Sequence, residues 1–291
     1  MSNLISISKK IRDVKSILKI AEALQLISST KLKSYKDIKE KGRDYVEGLK
    51  FLFQKFYCSF EHDYKISNSK FVYIGEKGHK RAMWIVIGTD LSLCGRFNKQ
   101  ILDFLLKQFP KDGFLIVFGK KLFNLMKNTW LKNRIIKNYS SEIKVSELVL
   151  NLETTANLAL KEFITRNCYH LNIIFQQFGK GIKNISLLPF TEDYFGEVKA
   201  QIKYSTHEYR MNPSECIIEL FPAYLERTIL ETLLESKITE HGQRRDLMTN
   251  AVKSAEEKLA EYKLIYQKIR QSKITQEISE ITSALKLNIG K

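Results

Sequence analysis

Met248-Thr249-Asn250-Ala251-Val252-Lys253-Ser254-Ala255-Glu256-Glu257-Lys258-Leu259-Ala260-Glu261-Tyr262 places Met248, Val252, Ala255, Leu259 and Tyr262 at alternating four- and three-residue steps, and the steps continue to Tyr266 and Ile269. A repeat of about 3.5 residues keeps such side chains on one stripe of a helix that winds about a second helix. The other end of the chain repeats the pattern with Leu4, Ile7, Ile11, Val14, Leu18 and Ala21. Breakers are sparse at both ends. The first glycine is Gly42 and the first proline Pro110; after Pro222 no proline follows, and Gly242 is the only glycine before Gly290. After Ile269 the next apolar candidates are Ile274, Ile278, Ile281 and Leu285, and the five-residue step to Ile274 breaks the heptad phase. A helix from Pro213 to Leu287 would be about 110 Å long. It cannot cover its own stripe, so the N-terminal helix is its natural partner, in an antiparallel pair.

The middle has a different rhythm. Met83-Trp84-Ile85-Val86-Ile87, Phe114-Leu115-Ile116-Val117-Phe118 and Leu171-Asn172-Ile173-Ile174-Phe175 read as buried strands. Helical stretches around Asn98–Phe109, Lys120–Lys127 and Ser146–Thr165 separate them. Strands alternating with helices predict a mainly parallel sheet. The expected fold class is α/β plus a long antiparallel coiled coil: N- and C-terminal helices pair, with a Rossmann-like α/β domain inserted between them. The expected boundaries are 1–58 for the N-terminal coiled-coil helix, 70–206 for the inserted α/β domain and 208–291 for the C-terminal coiled-coil helix.

Composition narrows the function classes. The chain has 291 residues, 44% of them hydrophobic, and a formal net charge of +16. No apolar run approaches the ~20 residues that cross a bilayer, and the N-terminus has no signal-peptide core. Cys58, Cys94, Cys168 and Cys216 form no CxxC pair, which fits a reducing cytoplasm rather than a disulfide or zinc framework. The positive charge suits nucleic acid, an acidic membrane surface or acidic protein partners. A nucleic-acid-binding coiled-coil protein is one reading of that charge, and it would bind with strong salt dependence. A second is a stand-alone α/β enzyme, with Cys94 as a nucleophile at the Asp90–Asn98 turn. Neither Phe118-Gly119-Lys120-Lys121 nor Phe178-Gly179-Lys180-Gly181 completes a phosphate loop, and both read as tight turns. The carboxylates on the terminal helices read as a solvated face.

The two ends carry a more specific signal. Tyr266-Gln267-Lys268-Ile269-Arg270-Gln271-Ser272-Lys273-Ile274-Thr275-Gln276-Glu277-Ile278-Ser279-Glu280-Ile281 resembles the C-terminal signature of the gamma subunit of F-type ATP synthases, roughly Y-N-x-x-R-Q-A-x-I-T-x-E-x-x-E-I. The run from Lys10 to Leu24, continued by Lys31-Leu32, is similar to that family's N-terminal helix. Weaker matches follow in order: Leu93-Cys94-Gly95 with Asn98, Phe118-Gly119-Lys120-Lys121, Leu187-Leu188-Pro189, and Asn212-Pro213 to Phe221-Pro222-Ala223-Tyr224.

The resemblance implies a central rotor shaft of an F1-type rotary ATPase, a non-catalytic subunit that transmits torque between the head and a coupled machine. It implies alpha- and beta-like subunits in a hexameric head as partners, with ATP and Mg bound there and no cofactor on this chain. An epsilon-like subunit and a membrane ring would complete the set, on the cytoplasmic face of the cell membrane. By position, Lys19, Leu24, Arg270, Gln271, Thr275 and Glu277 match family residues that contact the head. Ile274, Ile278, Ile281 and Leu285 are the candidates for an apolar tip turning in a sleeve. The sequence departs from the family at Leu24, Ser92 and Arg96, and at Gly242-Gln243 where two small residues are usual; Gly242 is expected to loosen the helix by about 1 kcal/mol relative to Ala. These departures fit a divergent F1-like ATPase paralogue of the kind carried by wall-less bacteria. The alternative they raise is a shaft coupled, through a motility-machinery adaptor, to gliding motility rather than to protons.

Overall fold

The computed structural model describes residues 2–60, 81–142, 145–189 and 213–289. It is helix-rich, with one mixed five-stranded sheet. Helix α1 spans Ser2–Phe60; β1, Ala82–Ile87; α2, Phe97–Gln108; β2, Phe114–Phe118; α3, Lys120–Met126. A 3-10 turn at Trp130–Arg134 leads into β3, Ile135–Tyr139, then α4, Val145–Thr165; β4, His170–Gln177; β5, Gly181–Leu188; and α5, Pro213–Ile289. The chain divides into two compact units, residues 1–30 with 243–291, and residues 31–242. The expected boundaries at 70, 206 and 208 lie outside the described residues.

In the unit of 31–242 the strand order is β3-β2-β1-β4-β5. β1 pairs in parallel with β2 and β4, β2 in parallel with β3, and β4 antiparallel with β5. Every residue of β1 is buried, as a central strand covered on both faces requires. One face packs Trp84, Val86, Leu115 and Val117 under α2, α3 and the 3-10 turn through Phe97, Ile101, Leu105, Leu122 and Leu131. The other packs Met83, Ile85 and Ile116 under α4 and under α1 and α5, through Leu152, Phe163, Phe53, Phe221 and Tyr224. The three expected strands and three expected helices are all present. β3 and β5 were not expected; they are the sheet's edges, and their half-exposed residues lack an unbroken apolar run.

The 221–241 stretch of α5 is buried on nearly every face. On one side Leu234 and Ile238 meet Leu32 and Tyr35 of α1, and Tyr35 stacks on His241 with ring centroids 5.6 Å apart. Ion pairs Lys39–Glu235 and Lys50–Glu231 (3.3 Å) flank that contact. On the other side the Thr239 hydroxyl donates to the Gln176 carbonyl at the end of β4 (3.1 Å). Pro222 lies inside α5, where it removes one backbone hydrogen bond.

Gly242 takes on a meaning that helix propensity alone does not give it. A Cβ there would lie 2.6 Å from Cε2 and 3.0 Å from Cδ2 of Phe178, whose ring sits in the β4–β5 turn. The missing methyl group is the space that Phe178 occupies. Gly242→Ala is therefore expected to destabilise the protein by about 1 kcal/mol, the clash outweighing the helix gain. In a Phe178→Ala background the same substitution should stabilise by up to about 1 kcal/mol. Urea denaturation of the four-variant cycle checks this; equal effects in both backgrounds would refute the contact.

Candidate functional site

In the unit of 1–30 and 243–291, the described parts of α1 and α5 run antiparallel. The Gln25 amide donates to the Thr249 hydroxyl (3.0 Å), and the Lys10 ammonium lies 5.7 Å from the Tyr262 ring centre. Every residue of the expected stripes is buried or half-buried. Leu4, Ile7, Ile11, Val14 and Leu18 are half-buried and Ala21 is buried; so are Met248 and Ala255, with Val252, Leu259, Tyr262, Tyr266 and Ile269 half-buried. The exposure pattern keeps its phase one step further than the apolar pattern does: half-buried Lys273, not Ile274, follows Ile269. The two cross-helix contacts set a register that places Lys273 beside the start of α1. Described residues of α5 beyond it therefore face no described residue of α1.

That segment is where most of the sequence-expected contact residues lie. Arg270, Gln271, Thr275 and Glu277 are exposed on α5. The Thr275 hydroxyl donates to the Gln271 carbonyl (3.0 Å), and Lys273 pairs with Glu277 at 3.5 Å. Ile274, Ile278 and Ile281 are 44%, 59% and 61% exposed, an open apolar stripe of the kind that marks an interaction surface. The side chain of Leu285 lies outside the described residues. On α1, Lys19 is exposed and Leu24 half-buried.

The α/β unit answers the phosphate-loop and nucleophile readings by geometry. At the start of α3, the Lys120 N–H donates to the Asp90 carboxylate (2.6 Å) and the Lys121 N–H to the Thr89 carbonyl (3.0 Å). Both groups that would cradle a phosphate are already engaged. Gly119, at φ +110°, is needed because a Cβ would meet the Gly88 and Thr89 backbone at 2.7 Å. Gly179-Lys180 is the turn of the β4–β5 hairpin, closed by Lys180 N–H to the Gln177 carbonyl (3.1 Å). Cys94 is buried, 3.7 Å from the Thr89 hydroxyl. Thr89 is in turn held by Asn98, whose side chain accepts from its N–H (3.0 Å) and donates to its hydroxyl (2.7 Å). Cys94, Cys168 and Cys216 are free thiols. Among the described residues no cluster of His, Cys, Asp or Glu could hold a metal ion, and no helix is long and apolar enough to cross a membrane.

A polar node stands out that the sequence did not reveal. Asp90 accepts from the Lys120 N–H, the Ser140 hydroxyl (2.5 Å) and the N–H groups of Ser141 and Glu142 (both 2.9 Å), tying the ends of β1, β2 and β3 together. Glu142 then pairs with Lys31 of α1 (3.6 Å) and with Lys237 of α5 (3.4 Å). Lys237, 1% exposed, is held by equally buried Glu240 at 2.8 Å. Burial works to discharge Lys237, but Glu240 and Glu142 outweigh it and raise its pKa. Burial likewise pushes Asp90 up; the hydrogen bonds from Ser140, Lys120 and Glu142, with the Lys237 charge, overcome it and leave the pKa lowered. The one available signal was that α5 is apolar around more than one face near Lys237, which marks a helix buried on several sides.

Because Asp90 has a lowered folded-state pKa, its contribution is present above the unfolded value near ~4 and is lost as pH falls through the folded value. Asp90→Asn is expected to cost about 1 kcal/mol at neutral pH, a figure reduced for its partial exposure, and clearly less in acid, where the wild type loses the same charge. Denaturation at neutral and acidic pH measures both differences; a deficit that is constant with pH contradicts the role given to the carboxylate.

With this geometry in view, the relatives of the chain are informative. The profile of a family described as ATP synthase matches residues 3–286. A chain from Malacoplasma penetrans named "ATP synthase gamma chain" is 28% identical, the match covering 98% of this chain and 99% of that one. One of the same name from Ureaplasma urealyticum is 29% identical over 96% and 97%. Among solved structures, a chain of the mitochondrial ATP synthase of Euglena gracilis, in an assembly of OSCP, F1 and c-ring, shares the fold with a TM-score of 0.63 at 13% identity, covering 98% of this chain and 94% of that one. A chain of the central stalk and c-ring of the Tetrahymena thermophila mitochondrial ATP synthase has a TM-score of 0.56 at 18% identity, covering 80% and 99%. A match of nearly the full length, joined to the antiparallel helices and the mixed sheet, leaves one conclusion: the chain belongs to the ATP synthase gamma-chain family.

Proposed function

We propose that this chain is the central rotor shaft of an F1-type rotary ATPase, turning within a head of alpha- and beta-like subunits. The observation that carries the reading is the full-length match to gamma chains of ATP synthases. The helices at the two ends act as a long antiparallel coiled coil. The α/β portion between them, taken as 70–206, is a Rossmann-like insertion flanked by coiled-coil segments 1–58 and 208–291. The chain itself is non-catalytic, and ATP with its Mg is bound by the partner subunits. Its place is peripheral, on the cytoplasmic face of the membrane, beside an epsilon-like subunit and a membrane ring. The comparisons lend no support to a shaft coupled to gliding motility.

Arg270, Gln271, Thr275 and Glu277, with Lys19 and Leu24, are the head contacts in this reading. The exposure of all but half-buried Leu24 supports it: polar surface contacts are individually worth less than about 1 kcal/mol and can be exchanged as the shaft turns. Ile274, Ile278, Ile281 and Leu285 supply the tip. An apolar stripe without directional bonds can slide in an apolar sleeve with little barrier. Native mass spectrometry of the purified complex should find one copy of this chain per ring of ATPase subunits. Arg270→Ala with Gln271→Ala should leave that assembly intact while lowering its ATPase rate several-fold. Recovery of the chain free of ATPase subunits, or an unaltered rate in the double variant, would count against the shaft or against these contacts respectively.

A further inference from the structure

The excess charge is not evenly distributed. Residues 96–137 carry ten Lys or Arg and two Asp, so they hold half of the net +16 in 42 residues. They include α2, α3 and the 3-10 turn, the layer that covers one face of the sheet, together with β2 and the start of β3. At one corner of this layer Phe109, closing α2, meets Trp130, opening the 3-10 turn, with ring centroids 6.0 Å apart. Trp130 is 42% exposed and Leu106 40%. Lys107, Lys111, Lys127 and Lys132 all lie within three residues of that ring contact and are exposed; Asp112 is the one carboxylate in the same span. None of the four lysines has an ion-pair partner among the described residues. Lys127 instead places its ammonium 4.6 Å from the Phe123 ring centre.

We propose that this corner docks on an anionic lipid surface, with Trp130 and Leu106 entering the headgroup layer and Lys107, Lys111, Lys127 and Lys132 facing the lipid phosphates. The residue types select this partner. Lysine is depleted at protein–protein interfaces, where arginine is enriched. Single-stranded nucleic acid needs a row of open aromatic platforms, whereas Trp130 stands alone and already leans on Phe109. Scattered lysines around an exposed Trp and Leu suit a fluid anionic surface, where each flexible cation finds a phosphate without fixed geometry. Such an attraction has no register, so it holds a surface near the membrane without fixing its orientation. The inference does not rest on the shaft reading, and either can fail alone.

The test uses the purified full chain with vesicles of phosphatidylcholine, alone or with one-third phosphatidylglycerol. The chain should float with the anionic vesicles only and be released by high salt. Trp84 is 5% exposed, so the change in emission belongs to Trp130: a blue shift, quenched by brominated acyl chains and absent in Trp130→Tyr. Lys107→Glu, Lys127→Glu and Lys132→Glu together should lower partitioning at least about tenfold. Lys15→Glu, Lys253→Glu and Lys258→Glu, exposed in the other unit, change net charge equally and should alter it less than about twofold. Equal flotation with both vesicles, an unchanged Trp130 signal, an equal loss in the second triple variant, or displacement from vesicles by equimolar RNA or polyglutamate would each overturn the proposal.

Discussion

A lysine buried to 1% exposure, with its charge kept, organises the unit of residues 31–242. Removing an ammonium from water costs several kcal/mol unless partners compensate. Lys237 has two, Glu240 one turn along its own helix and Glu142 beyond β3. Glu142 can serve only because Asp90 fixes the backbone at 140–142, and it also reaches Lys31 of α1. One connected set of charges thus joins α5, α1 and the strand ends of the sheet. Such a network adds little net stability compared with apolar packing, but a break in it leaves an uncompensated charge, so it favours one arrangement of these elements over slipped ones. Apolar packing, to which Phe53, Phe221 and Tyr224 belong, supplies the burial; the ions favour one register.

The unit built from the two ends follows another logic. Its stripe is half-buried rather than buried, and small or polar residues such as Ala21, Ser28 and Ala255 take the tightest places. Beyond Lys273 the described α5 carries isoleucines into solvent. A helix with an exposed apolar stripe is incomplete alone, which agrees with membership in a family whose relatives are named as parts of a larger machine.

The legibility of this protein in its sequence followed burial. Long helices declared themselves through heptads, since one stripe is covered and the rest is not. β1, β2 and β4 were legible because central parallel strands are apolar on both faces. β3 and β5 were not, because edge strands such as Gly181–Leu188 mix Lys183 and Asn184 with Ile182 and Ile185. Lys237 resembled any solvated helix lysine; its burial depends on Glu142, nearly a hundred residues away in the chain. Gly242 read as a weak point in a helix and is a seat for Phe178. The seam's end was placed one residue off, because apolar pattern passes over a half-buried Lys273 that exposure does not. The proposed head contacts Arg270, Gln271, Thr275 and Glu277 rest on resemblance, and their spacing alone assigns them no role.

As a rotor shaft, this chain must turn. With the ATPase head fixed to a surface and a bead attached through a cysteine replacing exposed Lys137, added ATP should drive continued rotation of the bead in one direction. Steady ATP hydrolysis with the bead stationary would rule out the shaft.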